Sequence, residues 1–176
     1  FGYNLILLLS GLLSGYFCYL WVRALTGSRL GGLVAGLAFM LAPYRLAHSY
    51  GHLQLASTQS LPLFFWALDR AVAAPRRRAM LALAGATCLV GALSQYYLVI
   101  CLATGPAYVL LAWALDRGSV RSRPLAAVAH LLAVAASVVA GACLGALPYL
   151  AALRDRIYVA RSIESTRIWS ADPINF

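Results

Sequence analysis

The densest polar stretch of this sequence is Pro43-Tyr44-Arg45-Leu46-Ala47-His48-Ser49-Tyr50-Gly51-His52-Leu53-Gln54. Arg45 is suited to a phosphate, because a planar guanidinium presents paired donors to phosphate oxygens. His48 and His52 are four residues apart and share a face if the stretch is helical. They could then hydrogen-bond a phosphate or sugar, or bind a metal. No acid or cysteine stands nearby to complete a ligand set, so no metal site is assigned. A divalent metal stays open as an alternative, and no other cofactor is implied. A plainer reading makes Tyr44, Tyr50 and Arg45 anchors at the level of lipid headgroups. A second polar group, Ser94-Gln95-Tyr96-Tyr97, reads either as a helix turn with interfacial tyrosines or as part of the same cavity. In the second case Gln95 and Tyr97 stand at its rim. His130, alone in an apolar run, is expected to be interfacial or bonded to a neighbouring helix.

These groups must be positioned by helices that live in lipid. Of the residues, 62% are hydrophobic and 11% charged, with a mean hydropathy of +0.79. Soluble domains carry about a quarter charged residues, and a soluble fold of this composition lacks polar surface to cover itself. All 14 basic residues are arginine against 5 acids, a net charge of +9. The arginines cluster beside apolar runs without interleaved aromatics, which points to anionic headgroups of the bilayer and away from nucleic acid. Cys18, Cys88, Cys101 and Cys143 all fall within apolar runs and read as small buried hydrophobes. The lysine-free composition fits a GC-rich bacterial source. Nothing resembling a Walker loop, a dinucleotide glycine pattern, HExxH or a nucleophile elbow is present. No pair of acids lies within an apolar run, which counts against a proton-coupled transporter.

A span needs roughly 20 residues to cross about 30 Å. Charges divide the chain into uncharged runs at 1–22, 30–44, 46–68, 79–115 and 124–153. As one helix the run 79–115 would be about 55 Å long, so it is expected to break at Ser94-Gln95-Tyr96-Tyr97. The expected architecture is an all-α polytopic transmembrane bundle over 1–153 of about six spans, near 2–22, 30–44, 50–68, 79–94, 97–115 and 125–150. Arg23, Arg29, Arg70, Arg76, Arg77, Arg78, Arg117, Arg121 and Arg123 then share one face, which the positive-inside rule makes cytoplasmic. Residues 154–176 are expected outside as an interfacial helix. Gly11, Gly15, Gly141 and Gly145 form small-xxx-small patterns for close helix packing. Starting at Phe1 within an apolar run, with no basic region before it, the chain is expected to be a piece of a longer membrane protein.

The stretch Gly36-Leu37-Ala38-Phe39-Met40-Leu41-Ala42-Pro43-Tyr44-Arg45, running into Gly51-His52-Leu53-Gln54, then Leu61-Pro62-Leu63 and Leu68-Asp69-Arg70, resembles bacterial proteins of the GT-C glycosyltransferase superfamily. That superfamily includes protein mannosyltransferase-like and aminoarabinose-transferase-like enzymes. Ser170-Ala171-Asp172 is similar to the segment after the sixth or seventh span of such proteins. The resemblance implies transfer of a sugar from a polyprenyl-phosphate donor to an acceptor on the extracytoplasmic side of the inner membrane. In that group the catalytic acid follows the first helix. Here no acid precedes Asp69, so the resemblance implies an acid upstream of Phe1, and no catalytic residue is named. Residues implied to cradle the lipid phosphate are Arg45, His48, His52, Gln95 and Tyr97, with Arg161 on the outer segment. The rival readings are a transporter or flippase, whose polar cluster lines a path, and a non-enzymatic membrane protein whose polar residues are anchors. The sugar, the acceptor and the oligomeric state are not encoded in any motif.

Overall fold

The computed structural model describes residues 2–74, 76–115 and 124–155, with side chains described outside 113–127. Every regular element among them is helical. Helix α1 (Gly2–Thr26) turns into α2 (Arg29–Met40) through Gly27, whose φ of 70° is left-handed, and Ser28, whose side chain caps the amide of Gly31 at 3.0 Å. Those two positions make the tight reversal possible. The helices then pack backbone to backbone. Gly32 lies against Tyr19, Gly36 against the Gly15 carbonyl, and Gly15 against Met40. Ascending numbers on α2 meet descending numbers on α1, so the hairpin is antiparallel.

Pro43 opens α3 (Pro43–His48), where its missing N–H and fixed φ suit a first turn. A short α4 (Leu53–Ala56) and α5 (Ser60–Ala73) follow. The span expected near 50–68 is therefore not one helix. Ser57, Thr58 and Gln59 interrupt it, and the last two bond across to α1. Hydroxyl and amide side chains that find such partners compete with helix continuation. Helix α6 (Arg77–Leu93) meets α7 (Gln95–Leu115) at Ser94, whose backbone is extended at φ −158° and ψ 119°. Helix α8 covers Pro124–Arg154.

Pairwise contacts give the helix directions. Ser10 and Trp21 of α1 meet Gln59 and Phe65, so α1 and α5 run parallel. Tyr97 bonds to the Leu55 carbonyl, Gly105 approaches Phe64, and Tyr108 bonds to Asp69, so α5 and α7 are parallel too. Gly141 sits on Ala84 and Thr87, and Gly145 on Cys88 and Gly91, so α6 and α8 are parallel. One end of the bundle thus carries Arg23, Arg29, Arg70, Arg76, Arg77 and Arg78. The other carries α3, α4 and Ser94. His130 near the start of α8 bonds through Nε2 to the Ala71 carbonyl at 2.6 Å, which agrees with its expected role as a histidine bonded to a neighbouring helix. Contacts divide the chain into Phe1–Ala146 and Leu147–Phe176, the latter described only through the last turns of α8.

The distribution of side chains is inverted relative to a soluble protein. Leu8, Leu12, Val34 and Leu132 are at least 60% exposed, whereas Ser14, Ser60, Thr87 and Ser94 are at most 1% exposed. Water would oppose that arrangement and hydrocarbon favours it. A true apolar core does exist, around Phe64, Leu68, Leu83, Val90 and Cys101. Among the described residues four helical stretches are long and apolar enough to cross a membrane: Gly2–Thr26, Arg29–His48 (α2 continued by α3), Gln95–Ala112 and Val128–Arg154. The expected count of about six is not reached on that criterion. Helix α5 has 14 residues and α6 has 17, about 21 and 25 Å at 1.5 Å per residue, short of the hydrocarbon thickness.

Candidate functional site

The polar chemistry gathers at the end of the bundle opposite the arginine-rich turns. Ser10 and Ser14, one helical turn apart on α1, face the segment between α4 and α5. Ser10 Oγ donates to Gln59 Oε1 at 2.7 Å. Ser14 Oγ donates to the Ser10 carbonyl at 2.7 Å and lies 2.9 Å from Thr58 Oγ1. These bonds fasten the interrupted segment to α1.

Beside them Arg45 folds inward from α3. It is 8% exposed, packed over Gly11, with Nη2 donating to the Leu7 carbonyl at 2.6 Å and Nη1 to the Met40 carbonyl at 3.2 Å. Its Nε is buried with no hydrogen-bond partner. Within Phe1–Ala146 the described residues hold one carboxylate, Asp69, at the opposite end and bonded to Tyr108. The guanidinium therefore sits buried on backbone carbonyls, away from every described carboxylate of its unit, a costly state that an anion would relieve. The hydroxyls of Ser60 and Ser94, at the same end, are also buried without partners.

The sequence candidates separate into two groups. His48 lies tilted against Tyr44 with ring centroids 4.3 Å apart and faces His52 edge-on at 5.7 Å. The two histidines do not share a helix, because α3 stops at His48 and His52 precedes α4, yet the turn returns their rings to contact. His48 Nδ1 bonds to the Tyr44 carbonyl at 2.8 Å; His48 is half-buried and His52 exposed. Tyr97 joins this group from α7: its hydroxyl donates to the Leu55 carbonyl and lies beside that of Tyr44. Gln95 donates its amide to the Gly91 carbonyl of the preceding helix at 2.9 Å. Arg161, the arginines at 117, 121 and 123, and the outer interfacial helix beyond residue 155 lie outside the described residues.

Sequence reasoning missed Ser10, Ser14 and Thr58, although a serine pair at helical spacing inside an apolar run was a usable signal. Among the described residues no group of three or more His, Cys, Asp or Glu side chains converges on a point. A cavity of about 370 Å³ between α5, α7 and α8, lined by Phe64, Leu68, Pro106 and Val134, presents no polar side chain. Tyr97→Phe is expected to lower stability by about 1–2 kcal/mol, because it leaves the Leu55 carbonyl without that donor. Thermal unfolding in detergent would measure it, and an unchanged midpoint would mean the bond is not made.

Apolar helices facing outward, with hydroxyls and a buried arginine inside, define a helical membrane protein. Residues 2–170 match a family described as a domain of unknown function (DUF6311), and the chain belongs to that family. No curated protein and no solved structure matches it.

Proposed function

We propose that this chain is the membrane-embedded, donor-binding part of a glycosyltransferase that moves a sugar from a polyprenyl-phosphate carrier to an acceptor on the extracytoplasmic side. The observation that carries this reading is Arg45, buried away from every described carboxylate of its unit and with Nε unpartnered, on the same short segment as the paired rings of His48 and His52. Such a set suits a lipid phosphate, with the cation holding the leaving phosphate as the bond from its oxygen to the sugar breaks. The base that would take the acceptor's proton is assigned to no residue here, since Asp69 lies at the far end.

The reading includes about six crossings, with α5 and α6 as short spans held by their neighbours. Alternating helix directions, with the described loop arginines at one end and Arg45 at the other, support that layout through the positive-inside rule. The membrane is then the inner membrane of a bacterium. A non-enzymatic reading has one observation in its favour: Arg45 also bonds two backbone carbonyls, as a purely structural pin would.

The full-length protein in nanodiscs, given a long-chain polyprenyl phosphate carrying a labelled sugar, tests the proposal. Donor binding and transfer to an acceptor extract are expected, and His52→Ala should weaken donor binding roughly tenfold. Absence of donor binding by the wild type would overturn the reading.

A further inference from the structure

A second feature lies at the arginine-rich end and owes nothing to the sugar-transfer reading. Residues of α5, of α6 and of the turn between them line a cavity of about 540 Å³. Its inner wall is apolar, from Leu63, Trp66, Ala67, Ala79 and Ala82, and its mouth carries Arg70, Arg76 and Arg78. The guanidinium of Arg70 lies over the Trp66 ring at 5.2 Å, so one cation is already held against the wall. None of these arginines pairs with a carboxylate among the described residues. The only described carboxylate of the same unit, Asp69, accepts instead from Tyr108 on the other side of α5.

We propose that this groove is a binding site for a single anionic phospholipid of the leaflet facing the arginine-rich end. Charge and depth both select such a lipid. Arginines at the mouth match a phosphate through paired N–H donors. From Leu63 to Ala74 the wall extends about 16 Å, which accommodates the upper part of an acyl chain below the headgroup. The small Ala67, Ala79 and Ala82 keep the wall open, where larger side chains would fill it. A general attraction of basic loops to a negative surface needs the charges but not the groove. A bound lipid needs both.

That difference gives the test. The full-length protein is reconstituted with one part phosphatidylglycerol in nine parts phosphatidylcholine, and lipids retained after release are counted by native mass spectrometry. One tightly held phosphatidylglycerol is expected. Arg76→Ala combined with Arg78→Ala should lower its retention roughly tenfold or more. Ala82→Phe, which leaves every charge in place and changes an exposed position, should lower it comparably by filling the groove. Arg23→Ala, at the same end but outside the groove, should leave it unchanged. Millimolar inorganic phosphate or glycerol 3-phosphate should not displace the lipid. Unchanged retention in Ala82→Phe, or equal loss in Arg23→Ala, would reduce the feature to surface attraction and overturn the site. Displacement by inorganic phosphate would replace the lipid with a free anion and overturn it as well.

Discussion

Gly36→Leu is expected to open the α1–α2 hairpin and to cost about 3 kcal/mol of stability. A Cβ at Gly36 would stand 2.6 Å from the Gly15 carbonyl oxygen and 3.3 Å from Tyr19 Cβ. The first of these is backbone and cannot swing aside, so the helices themselves must separate. In lipid that separation is expensive for a specific reason. No hydrophobic effect drives helices together there, and close van der Waals contact over small residues is what holds them. Two measurements check it. The unfolding midpoint in detergent should fall clearly, whereas Gly85→Leu, where a Cβ would meet nothing within 4 Å, should leave it unchanged or slightly raised. Cys18 offers the second: it is 7% exposed, with its thiol directed at the Ala35 carbonyl at 3.6 Å. Labelling of Cys18 by a membrane-permeant maleimide should be slow in the wild type and fast in Gly36→Leu. Equal midpoints and equal labelling would mean that α1 and α2 do not meet at these glycines.

Arg45→Met separates the two roles open to the buried guanidinium. Methionine is apolar, flexible and of similar reach, and replacing a buried charge by such a residue is often nearly neutral for folding. The Leu7 carbonyl lies inside α1, where the helix itself supplies a donor. Stability should therefore change by no more than about 1–2 kcal/mol. Donor-lipid affinity should fall about a hundredfold, the effect of removing charge-assisted hydrogen bonds to a phosphate. Arg45→Glu should be far worse for the fold, by about 3–5 kcal/mol, because a carboxylate would face two carbonyl oxygens. If Arg45→Met lowers stability yet leaves donor binding and turnover intact, the arginine only ties α3 to α1, and the phosphate reading of this residue is lost.

Much of the helix pattern was readable from residue order. The break inside residues 79–115 falls at Ser94 because a run of about 55 Å contained one polar interruption, and length demanded a turn there. Thr26-Gly27-Ser28 announced the first reversal through its turn and capping residues. The split of residues 50–68 was not readable. Thr58 and Gln59 look tolerable within an apolar run until their partners, Ser14 and Ser10, are brought in from more than forty positions away. The same holds for the candidates. His48 and His52 have helical spacing, yet it is a turn that brings their rings together. Gln95 stands out by residue type alone, and the turn at Ser94 gives it a partner in the preceding helix.

Residue order alone determined the solvent, the helical class and the face that carries the arginines, because each follows from composition and from where charges interrupt apolar runs. Those are one-dimensional properties, summed along the chain. Tertiary structure decided which polar groups are satisfied and which are left wanting. Arg45 could have been a headgroup anchor like any interfacial arginine. Packing over Gly11 buries it away from every described carboxylate of its unit, and the packing of α5 on α6 brings Arg70, Arg76 and Arg78 to one groove. Both outcomes depend on distances between helices, and no property of a single helix contains them.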